Sequence, residues 1–221
     1  MESLIENFFN IKIMTEAFPL LLRGLRTTIL LCVIVIPLGL IGGLIVALLT
    51  NIKIKIFYYF VISAIDFFRA VPPLVLLIFI YSGLPFAGIE LSPLVAVCLS
   101  FFLNNSAYYA EIFRAGIESI GTGQMHAARS TGLNHIKSMI YIILPQSIRN
   151  VLPDLLSNSL EVAKLTSIAS VVALQELLYS ADMARSISYN SSPIVLAAGM
   201  YLIMLWPVVR ILSRLEHRVG R

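Results

Sequence analysis

Residues Thr27 to Leu49 read TTILLCVIVIPLGLIGGLIVALL, 23 residues without a charge. As a helix this run is long enough to cross about 30 Å of hydrocarbon. Composition says the hydrocarbon is lipid. Of 221 residues, 58% are hydrophobic and only 13% charged, with a mean hydropathy of +0.90. Soluble domains carry about a quarter charged residues. A globule of this size has too few charges to cover its surface. The chain therefore reads as an all-α integral membrane protein, a single transmembrane domain over residues 1–221.

Working outward from that run, hydropathy predicts five transmembrane helices at approximately 27–49, 57–81, 91–113, 151–178 and 193–212. Gly39, Gly42 and Gly43 in the first span admit close approach of another helix. Residues 1–26 mix charges with Phe8, Phe9, Ile11, Ile13 and Phe18, the pattern of a short amphipathic segment at the interface. A cleavable signal is not expected, because the first long apolar run begins only after residue 26 and exceeds a signal core. The second span carries Asp66, Arg69 and Pro72-Pro73, and the proline pair predicts a kink. Gly83 to Glu90 is a turn. Asn104, Asn105, Ser106, Tyr108 and Glu111 fall in the second half of the third span. Cys32 and Cys98 lie within spans, at a separation that suits neither a disulfide framework nor a metal.

Orientation follows from the basic residues. Lys53, Lys55, Arg114, Arg129, Lys137, Arg149, Arg210, Arg214, Arg218 and Arg221 fall on one side, against Lys12, Arg23, Arg26 and Arg185 on the other. The richer side is cytoplasmic, so the N-terminus is outside and the C-terminus inside. The net charge of +4 is thus a topology signal, and no nucleic-acid partner is expected.

One long insert interrupts the hydrocarbon on the cytoplasmic side, at approximately 121–147. The stretch Gln124 to Asn150 reads QMHAARSTGLNHIKSMIYIILPQSIRN. Ile136 to Leu144 is too short to span, but Ile136, Met139, Ile140 and Ile143 recur at helical spacing. Gly132 suits a left-handed helix stop, Asn134 a helix cap and Pro145 a limit to the second helix. Two short helices result, with Ala127, Ala128 and Gly132 making a surface poor in side chains. Such a surface suits docking as well as plain packing.

At these residues the chain resembles the permease subunits of ATP-binding-cassette importers. Their cytoplasmic loop has the form E-A-A-x-x-x-G-x9-I-x-L-P. Here the positions are His126, Ala127, Ala128, Gly132, Ile142, Leu144 and Pro145, with Arg129 following the alanines. The one departure is His126 in place of Glu, which removes a negative charge. The polar-amino-acid uptake branch (histidine, glutamine or arginine type) is similar over nearly the whole length. Phe68-Arg-Ala-Val-Pro72 resembles its F-R-G-T-P. Asn104 to Ile117 is similar to N-S-G-A-Y-x-A-E-I-F-R-G-G-I, and Lys164-Leu-Thr-Ser167 to K-D-T-S, with Leu165 where Asp is usual. The resemblance implies a bacterial inner-membrane, multi-pass transport subunit whose loop is a coupling element docked on ABC ATPase subunits. Those subunits bind the ATP and Mg; no cofactor is expected in this chain. It also implies a second permease copy or paralogue, an extracytoplasmic substrate-binding protein, an amino acid substrate and surrounding membrane lipid.

Within the spans, Glu161 and Lys164 stand one turn apart on one helix face. An ionised group at mid-membrane costs about 2.5–3.5 kcal/mol, so each needs a partner or a cavity. They either pair with each other or line a path that meets an ammonium and a carboxylate. Asn104, Asn158 and Thr166 are candidates for neutral hydrogen bonds along the same path. Arg69 could satisfy carbonyls freed by the prolines, pair with Asp66 or contact a carboxylate.

Nothing points to catalysis. There is no phosphate-binding Gly-rich loop with Lys-Ser/Thr, and His126, His135 and His217 form no metal spacing. A proton-coupled secondary transporter using Glu161 is the alternative, although no paired repeats are visible. A mere membrane anchor would leave Glu161 and Lys164 unexplained.

Overall fold

The structure, a computed structural model, describes residues 6–52 and 54–219, with side chains as far as Arg214. Lys53 and Arg221, both used in the charge count, lie outside the described residues, as does the Arg218 side chain. The described residues form helices and turns without a strand. In chain order the helices are α1 (Ile11–Leu49), α2 (Lys55–Ala70), α3 (Pro73–Ile78), α4 (Pro93–Glu118), α5 (Thr122–Ser130), α6 (His135–Ser138), α7 (Leu144–Leu165), α8 (Leu177–Ser188) and α9 (Ser192–Val219). Two compact units divide the chain. One holds Met1–Ile36, Pro73–Phe101 and Leu160–Ile211, the other Pro37–Pro72, Phe102–Ser159 and Leu212–Arg221.

In the first unit, α1 begins well before Thr27. Residues 11–26 are not a separate interfacial segment but the start of the long helix. The reason is packing: Ala17 and Leu21 are buried with Leu177, Ala181 and Ala184 of α8 and Ala197 and Met200 of α9. The Asn10 amide donates to Ser192 Oγ at 2.9 Å, and the Ser191 amide to the Asn7 carbonyl at 2.9 Å. Charges at 12, 16, 23 and 26 hide this continuity from a hydropathy scan.

The expected fourth span, 151–178, is not one helix. After Leu165 the chain tightens into a 3₁₀ run, Thr166–Val172, and Ala173 turns it with φ 56°. Glu176 then caps α8, accepting from the amides of Leu178 at 2.8 Å and Tyr179 at 2.7 Å. The stretch 179–192, expected as a polar connection, is therefore mostly helix α8.

In the second unit, the partner admitted by the first-span glycines is α4. A Cβ on Gly43 would fall within about 3 Å of Tyr109 Cβ, the Ala110 amide nitrogen and the Ser106 carbonyl. Gly39 faces Tyr109 and Asn105, and Gly42 faces Ser106 and Phe102. Helix α2 stops at Ala70, with Val71 extended before the two prolines.

Pro145 does not end the second insert helix. The helical path from His135 widens into a π turn over Met139–Ile143 and continues into α7. Within that turn the Leu144 amide bonds back to the Met139 carbonyl. A proline at the second residue of α7 breaks little, because the widened turn has already displaced the hydrogen bonds its ring would obstruct.

Among the described residues, two helices are long and apolar enough to cross a membrane, Glu6–Leu49 and Ser192–Arg214. They become four if each of two broken pairs counts as one span: Lys55–Ala70 with Pro73–Ala87, and His135–Val172 with Leu177–Ser188. Helix α4 is not among them, since Asn104, Asn105 and Ser106 sit mid-helix and are buried.

Gly43→Ala is expected to lower stability by about 1–3 kcal/mol through overpacking. Gly199→Ala, with open space around it, should change stability little or raise it slightly. Unfolding midpoints of both variants in the same detergent micelles check the contrast.

Candidate functional site

The insert belongs to the second unit and is built from local signals. Helix α5 ends where Gly132 takes φ 91°, a conformation that favours glycine, with its amide returning to the Arg129 carbonyl at 3.0 Å. Asn134 caps α6 by accepting the Lys137 amide at 2.9 Å. Underneath, Met139, Ile143 and Leu144 are buried among Leu44 and Leu48 of α1, Ile117, Ile120 and Met125. The Asn150 side chain donates to Ser119 Oγ at 3.0 Å, tying the start of α7 to the end of α4.

This anchoring splits the residues expected on one apolar face. Met139 and Ile143 are inside, while Ile136 is 67% exposed and Ile140 50% exposed, beside an exposed Tyr141. Of the motif residues, His126, Ala127, Arg129, Gly132 and Pro145 are exposed, Ile142 is half-buried, and Ala128 and Leu144 are buried. The outer surface thus pairs small residues with an apolar patch, a combination that marks a contact surface.

The other candidate residues fall into separate places. In the second unit, Asn104 is buried and its Nδ2 donates to the Phe68 carbonyl at 2.8 Å. One turn on, the Tyr108 hydroxyl donates to the Arg69 carbonyl at 3.3 Å. These are the two carbonyls whose helical partners would have been the amides of Pro72 and Pro73. Arg69 therefore does not serve the freed carbonyls, nor does it pair with Asp66. Its Nη1 lies 3.8 Å from Glu111 Oε2, and its guanidinium sits over the Tyr108 ring at 5.7 Å. Asn158 is half-buried near the end of the same unit.

In the first unit, Lys164 Nζ donates to Glu161 Oε1 at 2.6 Å. Side-chain exposures of 55% for Lys164 and 66% for Glu161 leave the pair open on the chain's surface. Thr166 is buried, its hydroxyl bonded back to the Ala163 carbonyl at 2.7 Å. It faces the packing of its own unit.

Residues 36–221 match the family of binding-protein-dependent transport system inner membrane components. The chain belongs to that family. It is 38% identical over 194 residues to the probable amino-acid ABC transporter permease protein YckA of Bacillus subtilis (strain 168), covering 87% of this chain and 86% of the relative. It is 33% identical to the probable glutamine ABC transporter permease protein GlnM of the same organism, covering 96% of this chain and 99% of the relative. A crystal structure of an amino acid ABC transporter with histidines superposes with a TM-score of 0.84 at 35% identity, covering 93% of this chain and 96% of that one. The chain is a membrane-integral permease subunit of an ABC importer and is not itself an enzyme.

Two features of this permease escaped the sequence reading. Glu176 is fully buried and also receives the Tyr201 hydroxyl at 3.1 Å, while Thr28 Oγ1 accepts the Leu177 amide at 3.1 Å. An acidic residue directly before an apolar helical pattern was the available signal for that cap. The second is a row of charges on α4. Arg114 grips Glu111 through Nε at 3.0 Å and Nη2 at 2.5 Å, and reaches Glu118 through Nη1 at 2.5 Å. Just beyond the expected third span, the Arg114 guanidinium is held above its ordinary range, chiefly by the hydrogen bond to Glu111 and further by Glu118.

Asn104→Ala leaves the Phe68 carbonyl without its donor. We expect a loss of about 1 kcal/mol, the scale of one membrane side-chain hydrogen bond, and a smaller loss for Tyr108→Phe, whose bond is longer. Denaturant unfolding in mixed micelles measures both.

Proposed function

We propose that this permease subunit moves polar amino acids across the bacterial cytoplasmic (inner) membrane, powered by ABC ATPase subunits that bind ATP and Mg beneath it. The carrying observation is the insert. The spacing of Ala127, Ala128, Gly132, Ile142, Leu144 and Pro145 coincides with an anchored two-helix element whose outer face is small and apolar. The likeness to relatives named as amino-acid and glutamine permeases supports the substrate class. In this reading the chain is a single transmembrane permease domain of five spans, N-terminus outside and C-terminus cytoplasmic, with residues 121–147 as the coupling loop. A second copy or a paralogue completes the pathway, and an extracytoplasmic binding protein delivers the substrate.

Glu161 and Lys164 are the pair we place on the substrate path. A zwitterion carries an ammonium for the carboxylate and a carboxylate for the ammonium, so it can exchange partners with an existing ion pair. A proton-coupled carrier centred on Glu161 is not favoured: the family is ATP-driven, and Lys164 already occupies the carboxylate at 2.6 Å.

Co-expression with the cognate ATPase and binding protein, followed by reconstitution in vesicles, tests the reading. Uptake of a polar amino acid should require internal ATP and the external binding protein. Uptake driven by a proton gradient without ATP would overturn it. Ala127→Asp should abolish ATPase co-purification while leaving membrane insertion intact, because a desolvated charge would face the partner's backbone.

Glu161→Ala and Lys164→Ala should each cut uptake about tenfold, equivalent to about 1.4 kcal/mol of lost stabilisation, with normal protein levels in the membrane. Recovery of uptake in the double variant would show that the two residues only neutralise each other.

A further inference from the structure

We propose that Glu111 is an exchangeable carboxylate, passed between Arg114 and Arg69, that links the insert to the Pro72-Pro73 break. The proposal rests on the coupling reading of the insert.

The argument begins at the break. Two carbonyls of the last turn of α2 hang on Asn104 and Tyr108, one helical turn apart on α4. Glu111, three residues further along, stands next on that face. From α2, Arg69 reaches it with only a loose contact of 3.8 Å, and the Arg69 Nε is buried with no hydrogen-bond partner. A buried donor left unused is uncommon in a settled structure and needs an explanation. A second arrangement in which Arg69 takes Glu111 in a two-bond grip supplies one.

The present owner of Glu111 is Arg114, through two bonds of 2.5 and 3.0 Å. Arg114 also holds Glu118 at 2.5 Å. Release of Glu111 would therefore leave Arg114 paired with Glu118 and Arg69 paired with Glu111. The present arrangement puts both carboxylates on Arg114 and leaves Arg69 at 3.8 Å from Glu111, whereas the second gives each arginine one carboxylate; the same four charges are balanced in both. Two states of matched charge, differing in which arginine grips one carboxylate, make a bistable element, where a small displacement selects one state.

The displacement can come from the insert. Ile117 and Ile120, immediately beyond Arg114, pack against Met139, Ile143 and Leu144. Ser119 is bonded to Asn150 at the start of α7. Motion of the insert thus acts on the turn of α4 that carries Arg114 and Glu118, while Arg69 stays fixed to the end of α2. Glu111 lies between the moving part and the break.

Glu118 provides the discriminating variant, because its side chain is 63% exposed and it meets Arg114 on its own helix. A merely structural surface pair there has little effect when removed. As a switch component it is the fallback carboxylate, and Glu118→Gln should hold Arg114 on Glu111. In the full complex in nanodiscs, Glu111→Gln and Glu118→Gln should each reduce amino acid transported per ATP hydrolysed by about tenfold, with the hydrolysis rate retained. Should Glu111→Gln fail to assemble, Glu118→Gln alone carries the test. If the ATPase co-purifies with the wild-type chain and is lost with Ala127→Asp, the docking reading stands. Coupling ratios for both Gln variants within twofold of wild type would then overturn the switch alone. If the ATPase binding ignores Ala127→Asp, the docking reading falls, and this inference with it.

Discussion

Two adjacent prolines cannot donate hydrogen bonds, and in a membrane protein the carbonyls they abandon have no water to turn to. This one constraint accounts for much of the second unit. The carbonyls of Phe68 and Arg69 must find donors on a neighbouring helix, and those donors must be a turn apart on one face. Asn104 and Tyr108 meet that demand. The helix that carries them must lie close, and Gly39, Gly42 and Gly43 on α1 let α4 do so from its other neighbour. A polar helix centre that weakens α4 as an apolar span is thus what allows α2 to break.

The same helix leads into the insert, whose inner residues are held by Leu44, Leu48, Ile117 and Ile120. An element packed this firmly underneath and left apolar on top is suited to transmit force instead of flexing. Residues that anchor it and residues that present it alternate along the chain. That is why a single amphipathic face described the insert poorly: Ile136 and Ile140 belong to the outer surface, and Met139 and Ile143 to the inner.

Membrane character, helical content, the break at the prolines, the Gly132 stop and the Asn134 cap were all legible in the sequence, because each rests on a local property of the backbone. The start of α1 was not, since the packing of Ala17 and Leu21 against α8 outweighs charges that end a hydropathy run. The break after Val172 was missed for a different reason. It turns on Ala173 at positive φ, and alanine carries no signal for that conformation. Tertiary support holds it, with Glu176 capping the next helix from a fully buried position. For the candidate site, residue types were readable but partners were not. Asn104 and Arg69 stand out by residue type, yet which carbonyl or carboxylate they meet depends on the register of α2 against α4.

The Glu161–Lys164 pair shows how exposure changes the meaning of an ion pair. Had both side chains been enclosed by their own unit, the contact would complete a buried pair whose removal leaves a bare charge. Instead each keeps more than half of its side-chain surface open. Exposed pairs of this spacing contribute little to stability, so holding the chain together is a poor reason for placing these two charges here. The open surface must meet water, a partner subunit or a charged solute. On the reading proposed above it is the last of these, since a cation and an anion one turn apart on α7 present together the charges complementary to a zwitterion.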